Sequence, residues 1–277
     1  MIEIALADRC FLCGNTNYNV IYSALKEDPY YRLIYPNEAE IPMTWVSCRE
    51  CDLSWRLERL TSQEVNTLYL RFRDNRGERA EDYFERIVNI PDKESENYHR
   101  SIEYCKLAVK WLETDEKYHL DIGTGAGVFI YTFNRVCRGW KSHAVEATSS
   151  FADICKKKLG IPVYQGFYNA GLFNRKFNLI TILQVLEHIV DPLETLKRIA
   201  NDLHRDGIVI IDVPSNENFG KISFDHDIFN IQHVYLFSLP TLEELCQKAG
   251  IEVVESSSFI QPMRKTCQIR VVGRLKR

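Results

Sequence analysis

Past Tyr118 the apolar positions fall into short continuous runs separated by amphipathic stretches, and this texture holds to the end of the chain. Runs at Tyr118–Ile122, Trp140–Ala147, Pro162–Gln165, Phe177–Val185 and Gly207–Val213 predict strands. The uninterrupted FNLITILQV run from Phe177 reads as a parallel strand covered on both faces. Between the runs, helices are expected from the glycine turn after Ile122 to about Cys137, over Ser149–Leu159, and over Leu193–His204. Gly160 and Pro162 end the second of these. Ser238 and Pro240 open a last helix that Gly250 closes, with Ile251–Val254 and Cys267–Val272 as final strands. Strand–helix alternation of this kind gives a parallel sheet with helices on both faces.

Upstream the pattern is different. From about Thr61 to Thr114 it is helical and rich in charge, with Ile102, Cys105, Val109 and Leu112 spaced to share one apolar face. Arg71–Glu81 (RFRDNRGERAE) is almost wholly polar and predicts a mobile loop or linker. The expected organisation is therefore a small module over 1–60, a helical linker or cap over 61–114, and an α/β domain over 115–277.

Composition narrows the reading. The 277 residues are 45% apolar, enough to bury a substantial core. A net charge of −3 argues against nucleic acid or an anionic membrane as the main partner. No stretch approaches the roughly 18 apolar residues of a membrane span. The start, MIEIALADRC, lacks a basic segment followed by an apolar one, so a cytoplasmic, reducing setting is expected. Nine cysteines in such a setting are thiols or metal ligands before they are disulfides. Cys105, Cys137, Cys155, Cys246 and Cys267 stand singly among apolar residues and read as small buried side chains.

The other four form two C-x-x-C pairs, Cys10/Cys13 and Cys48/Cys51. Four thiolates so arranged can surround one tetrahedral zinc ion, in a closed structural site. Gly14 after Cys13 suits the left-handed turn of such a knuckle, whereas Asp52 after Cys51 suits it less well.

The sharpest motif is His119-Leu-Asp121-Ile-Gly123-Thr124-Gly125-Ala-Gly127, between a predicted strand and a predicted helix. The third glycine comes one residue too early for a nicotinamide fingerprint, and no Gly-Lys-Ser/Thr ending marks a P-loop. Glu146 closes the next predicted strand, where a carboxylate can accept hydrogen bonds from both ribose hydroxyls of a nucleoside. With Asp121, the G-x-G-x-G loop and Glu146, the chain resembles the class I S-adenosylmethionine-dependent methyltransferases. Gln184-Val-Leu-Glu187-His188 is similar to that superfamily's run after the fourth strand. Asp206-Gly207 and Gln232-His233-Val-Tyr235-Leu-Phe237-Ser238 match as well. The cysteine-paired start resembles the zinc-ribbon leader of a small-molecule branch, several of whose members act on sugars or other biosynthetic intermediates.

The resemblance implies a Rossmann-like, seven-stranded methyltransferase sheet and S-adenosylmethionine as cofactor. Asp121, Gly123, Thr124, Gly125 and Gly127 would border its methionine part. Glu146, with Ala147 beside it, would hold the ribose; Gln165 and Gly166 would lie near the adenine, and Gln184 would close the pocket. It further implies methyl transfer to a small acceptor. His233 is the candidate base and His226 its rival, both in the aromatic stretch Phe224–Tyr235 between the fifth strand and the next helix. Related sugar C-methyltransferases carry Tyr-His-Glu-His where this chain has Asn230-Ile231-Gln232-His233, so C-methylation is not implied. Two other readings stay open: an RNA methyltransferase that grips its substrate through the zinc module, and a non-catalytic cofactor-binding scaffold.

Overall fold

The computed structural model describes residues 5–38, 40–71, 78–217, 219–261 and 265–276. In the N-terminal part, Ile41, Met43 and Trp45 alternate along a strand and bury one of its faces completely. The elements there are β1 (Ala5–Leu6), β2 (Tyr18–Glu27), α1 (Tyr31–Ile34), β3 (Glu40–Cys48), β4 (Ser54–Arg56) and β5 (Glu58–Arg59). Helices α2 (Ser62–Arg71), α3 (Ala80–Val88) and α4 (Glu96–Trp111) follow. Residues 72–77 of the expected polar loop lie outside the described residues, and its last two, Ala80 and Glu81, already belong to α3.

The α/β part runs β6 (Tyr118–Ile122), α5 (Val128–Val136), β7 (Lys141–Glu146), α6 (Ser149–Leu159), β8 (Val163–Gln165), β9 (Phe177–Leu183), α7 (Pro192–Asp202) and β10 (Leu203–Pro214). After a long insertion come β11 (Tyr235–Leu236), α8 (Leu239–Lys248), β12 (Ile251–Ile260) and β13 (Cys267–Leu275). Local chemistry sets the helix ends. The Asp191 carboxylate accepts from the Glu194 amide at the start of α7, and Ser238 and Thr241 form a capping box on α8. Gly160 stops α6 in the left-handed conformation.

Seven strands form one sheet in the order β12-β13-β10-β9-β6-β7-β8. Strands β10, β9, β6, β7 and β8 are parallel, whereas β13 runs antiparallel to both β10 and β12. The chain order reverses between β6 and β9, so the crevice at the carboxyl ends of these two strands is where such a sheet binds ligands.

A second, four-stranded sheet has the order β11-β4-β3-β2. Its edge strand β11 comes from the insertion, with Tyr235 opposite Trp55 and Leu236 opposite Ser54. The insertion's aromatic side chains do not stand over the cavity alone. Phe219, Ile228, Phe229, Ile231 and Leu236 join Tyr31, Ile41, Met43 and Trp45 in one apolar cluster. Polar clamps reinforce it. The Lys26 ammonium donates to the carbonyls of Phe224, Phe229 and His226, and the Asp28 carboxylate accepts from the Ile231 amide.

Two expectations need correcting. The buried face of α4 is Ser101, Tyr104, Leu107 and Ala108, while Val109 is 74% exposed. Tyr104 turns inward because its hydroxyl donates to the buried Asp212 carboxylate and its ring meets Phe129 edge-on. Cys105 and Cys137 are not separate thiols but a disulfide joining α4 to the end of α5, with Cα atoms 5.5 Å apart. Cys155, Cys246 and Cys267 are free and buried, as expected.

Candidate active site

The glycine loop follows β6 directly. The amides of Gly123 and Thr124 both donate to the Val145 carbonyl, which folds the loop against the end of β7. Gly123 and Gly127 have φ of 72° and 82°. A Cβ on Gly123 would stand 2.5 Å from Val185, and one on Gly127 2.7 Å from Leu159. Glu146 ends β7, its two carboxylate oxygens accepting from the amides of Gly125 (2.7 Å) and Thr148 (2.8 Å). The side chain is thereby aimed at the loop, with 8% of the residue exposed.

Asp121 is buried beneath the loop and accepts from the Thr181 hydroxyl at 2.6 Å. Burial pushes its carboxyl up to about 6. The same Thr181 oxygen lies 2.8 Å from Nε2 of His119, whose imidazole burial holds down at about 3. Gln184 sits just past β9 with φ of 57°. Its side-chain amide donates to Asp212 (2.9 Å) and to Gln268 (2.8 Å), so it is fixed against β10 and β13.

These groups open onto one cavity of about 790 Å³. Asp121, Gly123, Thr124, Gly125, Glu146, Ala147, Gly166 and Gln184 line it. Gln165 and Gly127 do not: Gln165 is exposed on edge strand β8, and Gly127 is the N-cap of α5, behind the loop. A Cβ on Gly125 would meet only the Phe151 ring, at 3.8 Å, so the loop's middle faces open space. The cavity therefore combines a Cβ-free backbone with a carboxylate at a strand end, the donor and acceptor set that a nucleoside with a short polar tail requires.

The insertion and the turn after β9 also contribute to the lining. His226 and His233 both line the cavity. His226 keeps Nδ1 close to home, accepting from the Ile228 amide and lying 3.0 Å from the Asp227 carboxylate. His233 donates from Nδ1 to the Ile228 carbonyl at 2.6 Å. Its ring lies 4.8 Å, centre to centre, from that of His188. His188 donates in turn to the Gln232 carbonyl, and burial holds its imidazole down at about 4. Sequence reasoning nominated neither His188 nor the buried Glu187 beside it for the site. Nor did it find Tyr69 of α2 or Arg100 of α4, which complete the walls. The Leu-Glu-His run after a strand was the available signal for the first two.

The four paired cysteines converge at the other end of the N-terminal sheet. Cys10 and Cys51 sulfurs are 3.6 Å apart and those of Cys13 and Cys48 3.5 Å, with all four within 4.8 Å of one another. Both knuckles use the same turn: the amides of Gly14 and Asp52 donate to the carbonyls of Cys10 and Cys48, with φ of 76° and 61°. Asp52 thus takes the conformation that suits it less well, and Asn216 holds its carbonyl at 2.6 Å. Thiolates at these separations are the donor set of a tetrahedral zinc site.

Among the described residues no helix is long and apolar enough to cross a membrane. Comparison with known proteins gives the family. A methyltransferase-domain family model matches residues 72–256. A tRNA U34 carboxymethyltransferase of Aliarcobacter butzleri (strain RM4018) is 29% identical over 133 residues, 45% of this chain and 42% of that protein. The chain thus spans less than half the length of that curated relative. Among solved structures, a complex of the Trm112 methyltransferase activator with a methyltransferase from Haloferax volcanii aligns with a TM-score of 0.54 at 16% identity. The alignment covers 71% of this chain and 98% of that one. An S-adenosylmethionine-dependent methyltransferase from Clostridium acetobutylicum aligns with a TM-score of 0.50 at 15% identity, over 69% and 94% of the two chains. The strand order, the glycine loop and the family match agree: the chain belongs to the methyltransferase-domain family.

Proposed function

We propose that the protein transfers a methyl group from S-adenosylmethionine to a small biosynthetic acceptor, sugar-like or another metabolite of similar size. One observation carries this reading. A single cavity of about 790 Å³ is lined both by the glycine loop and Glu146 and by the histidines of the insertion. Ligand pockets span about 300–1,000 Å³, so this one has room for two small partners side by side.

The cofactor supplies an already activated methyl group on a sulfonium. The chain's own task is to hold the acceptor in line and keep water out. Glu146 would accept from the ribose hydroxyls, exchanging its present backbone donors for them in part. The backbone of Gly123 and Gly125 would border the methionine part, with Asp121 below. His233 is the residue best placed to take the acceptor's proton. Its Nδ1–H is committed to the Ile228 carbonyl, so the neutral ring carries its lone pair on Nε2. His226 is second choice because its Nδ1 lone pair already accepts from the Ile228 amide, which leaves the neutral ring's proton on Nε2. Cys10, Cys13, Cys48 and Cys51 would hold one structural zinc.

An RNA acceptor is the competing reading, favoured by the tRNA-modifying relative. The net charge of −3 and the insertion's contribution to the cavity lining favour the small acceptor. The deciding experiment measures turnover of S-adenosylmethionine with a panel of hydroxylated and aminated metabolites and with unmodified tRNA. Turnover with a metabolite, lowered about 10²–10⁴-fold in His233→Ala at unchanged cofactor affinity, is the expected result. Turnover with tRNA alone would transfer the proposal to RNA. No turnover with any acceptor, despite cofactor binding, would leave the scaffold reading.

A further inference from the structure

The cavity lining contributed by the insertion and the turn after β9 holds more than a candidate base. Glu187, His188 and His233 each offer one ligand atom, and these three atoms lie within 4.8 Å of one another. The Glu187 carboxylate is 3.7 Å from Nε2 of His188. Ligand atoms bound to one first-row ion at about 2.1 Å stand about 3–3.4 Å apart, so the three would draw somewhat closer on taking up an ion.

The surroundings point the same way. Both imidazoles donate from Nδ1 to a backbone carbonyl, His188 to Gln232 at 3.0 Å and His233 to Ile228 at 2.6 Å. That is the arrangement by which an outer shell fixes the tautomer of a ligating histidine and turns its Nε2 lone pair toward a metal. The rings come from two unconnected stretches, the turn after β9 and the insertion, and the Val234 amide donates to the Glu187 carbonyl at 2.8 Å to join them. All three side chains line the cavity, so an ion there would keep open positions on the cavity side.

We propose that Glu187, His188 and His233 form a second metal site, distinct from the four cysteines, that takes a divalent transition cation and presents it to an acceptor oxygen. Two imidazoles and a carboxylate suit manganese, iron(II), cobalt or zinc, while the four thiolates select zinc. The inference rests on the reading of the cavity as the transfer site and narrows its acceptor to a molecule with a metal-binding hydroxyl. The cation binds the hydroxyl oxygen and weakens its O–H bond. The proton would leave to bulk solvent at the cavity mouth, and the electron pair kept on the oxygen would attack the sulfonium methyl, the O–C bond forming as the S–C bond breaks and S-adenosylhomocysteine departs. With the ion bound, His233 serves as a ligand, and the base role described above belongs to the metal-free protein.

The test uses zinc-loaded full-length protein and manganese(II), followed by electron paramagnetic resonance of the free ion and by calorimetry. One manganese per chain should bind. Glu187→Gln and His233→Asn should each weaken it at least tenfold, with the circular dichroism spectrum and S-adenosylhomocysteine binding of each variant retained. Folded protein that binds S-adenosylhomocysteine but no manganese would overturn the cation site and leave the methyltransferase reading intact. Manganese binding unmoved by both variants would overturn it too, by locating the ion elsewhere. Manganese bound at these residues without any S-adenosylhomocysteine would support the site and sink the reading of the cavity.

Discussion

The ammonium of Lys26 donates to the carbonyl oxygen of Phe229 at 2.6 Å and stands 5.8 Å from the centre of that residue's own ring. A residue of the N-terminal sheet thus grips, by backbone and by side chain, the insertion that delivers His226 and His233. Burial lowers the pKa of this amine, yet Asp28, Asp225 and Asp227 nearby favour its charge. Lys26→Met keeps the length of the stem and removes the donors. It should lower kcat/KM for the acceptor several-fold while leaving S-adenosylhomocysteine affinity within about twofold, as measured by steady-state kinetics and calorimetry. Equal loss of both would mean that the clamp supports the whole fold and not the insertion.

Glu146 organises the loop even without a ligand, because its two oxygens accept from Gly125 and Thr148. In Glu146→Ala both amides lose their acceptor together with the proposed ribose contact. Calorimetry should show S-adenosylhomocysteine binding weakened about 10–100-fold, and Glu146→Gln, which keeps one acceptor oxygen, should fall between. A variant that binds as tightly as the parent would remove Glu146 from the site.

Zinc removal should act at a distance. The carbonyl of Asp52, next to Cys51, is held by Asn216, just after the strand whose end reaches the cavity through Pro214. The purified protein should carry about one zinc per chain at the cysteines. Cys48→Ser should lose it and melt at lower temperature. Metal analysis by plasma mass spectrometry, with a thiol count, checks both; four freely reactive thiols and no zinc would refute the assignment.

Asp121 gives a pH dependence of defined sign. Its folded-state pKa is raised to about 6, above an unfolded value near 3.8. The folded state therefore holds the proton more tightly, and stability from this group is fully present below about pH 4 and lost as pH rises to about 6. Asp121→Asn can still accept from Thr181 and has no charge to bury. It should be more stable than the parent at pH 7, by on the order of 2–3 kcal/mol, with the gap closing toward pH 4. Thermal melts at pH 4, 5, 6 and 7 measure it; an unchanging gap across that range would mean that the carboxyl does not titrate there.

The strands of the seven-stranded sheet were legible because each is a short apolar run bounded by glycine, proline or a cap, and such runs need no partner to be recognised. The glycine loop was legible for the same local reason. The four-stranded sheet was harder. Its strands were not read from the sequence: the alternation of Ile41, Met43 and Trp45 is a short local signal, and β11 is two residues whose partner lies far away in sequence. The face of α4 was misread by one position because helical spacing alone ranks Val109 above Tyr104. What turned Tyr104 inward was a buried carboxylate, Asp212, that periodicity does not register. The Cys105–Cys137 pair escaped for a similar reason: two single cysteines 32 residues apart carry no spacing signal. The grouping of His188 with His233 required the insertion to fold back over the turn after β9, a tertiary event with no local pattern.

Arg56 and Ile231, joined by a 2.7 Å hydrogen bond, are 175 residues apart in the chain. On a ribosome adding about 5–20 residues per second, the first arrives about 10–35 s before the second. Through that interval β4 has an unpaired edge, the Arg56 guanidinium lacks this acceptor, and the apolar face of Trp45 and Met43 awaits its cover. Completion of the four-stranded sheet is therefore a late event in biogenesis, coupled to the same stretch that brings His226 and His233 to the cavity. A chain stalled or cleaved before residue 231 would carry an exposed, aggregation-prone edge at its N-terminus.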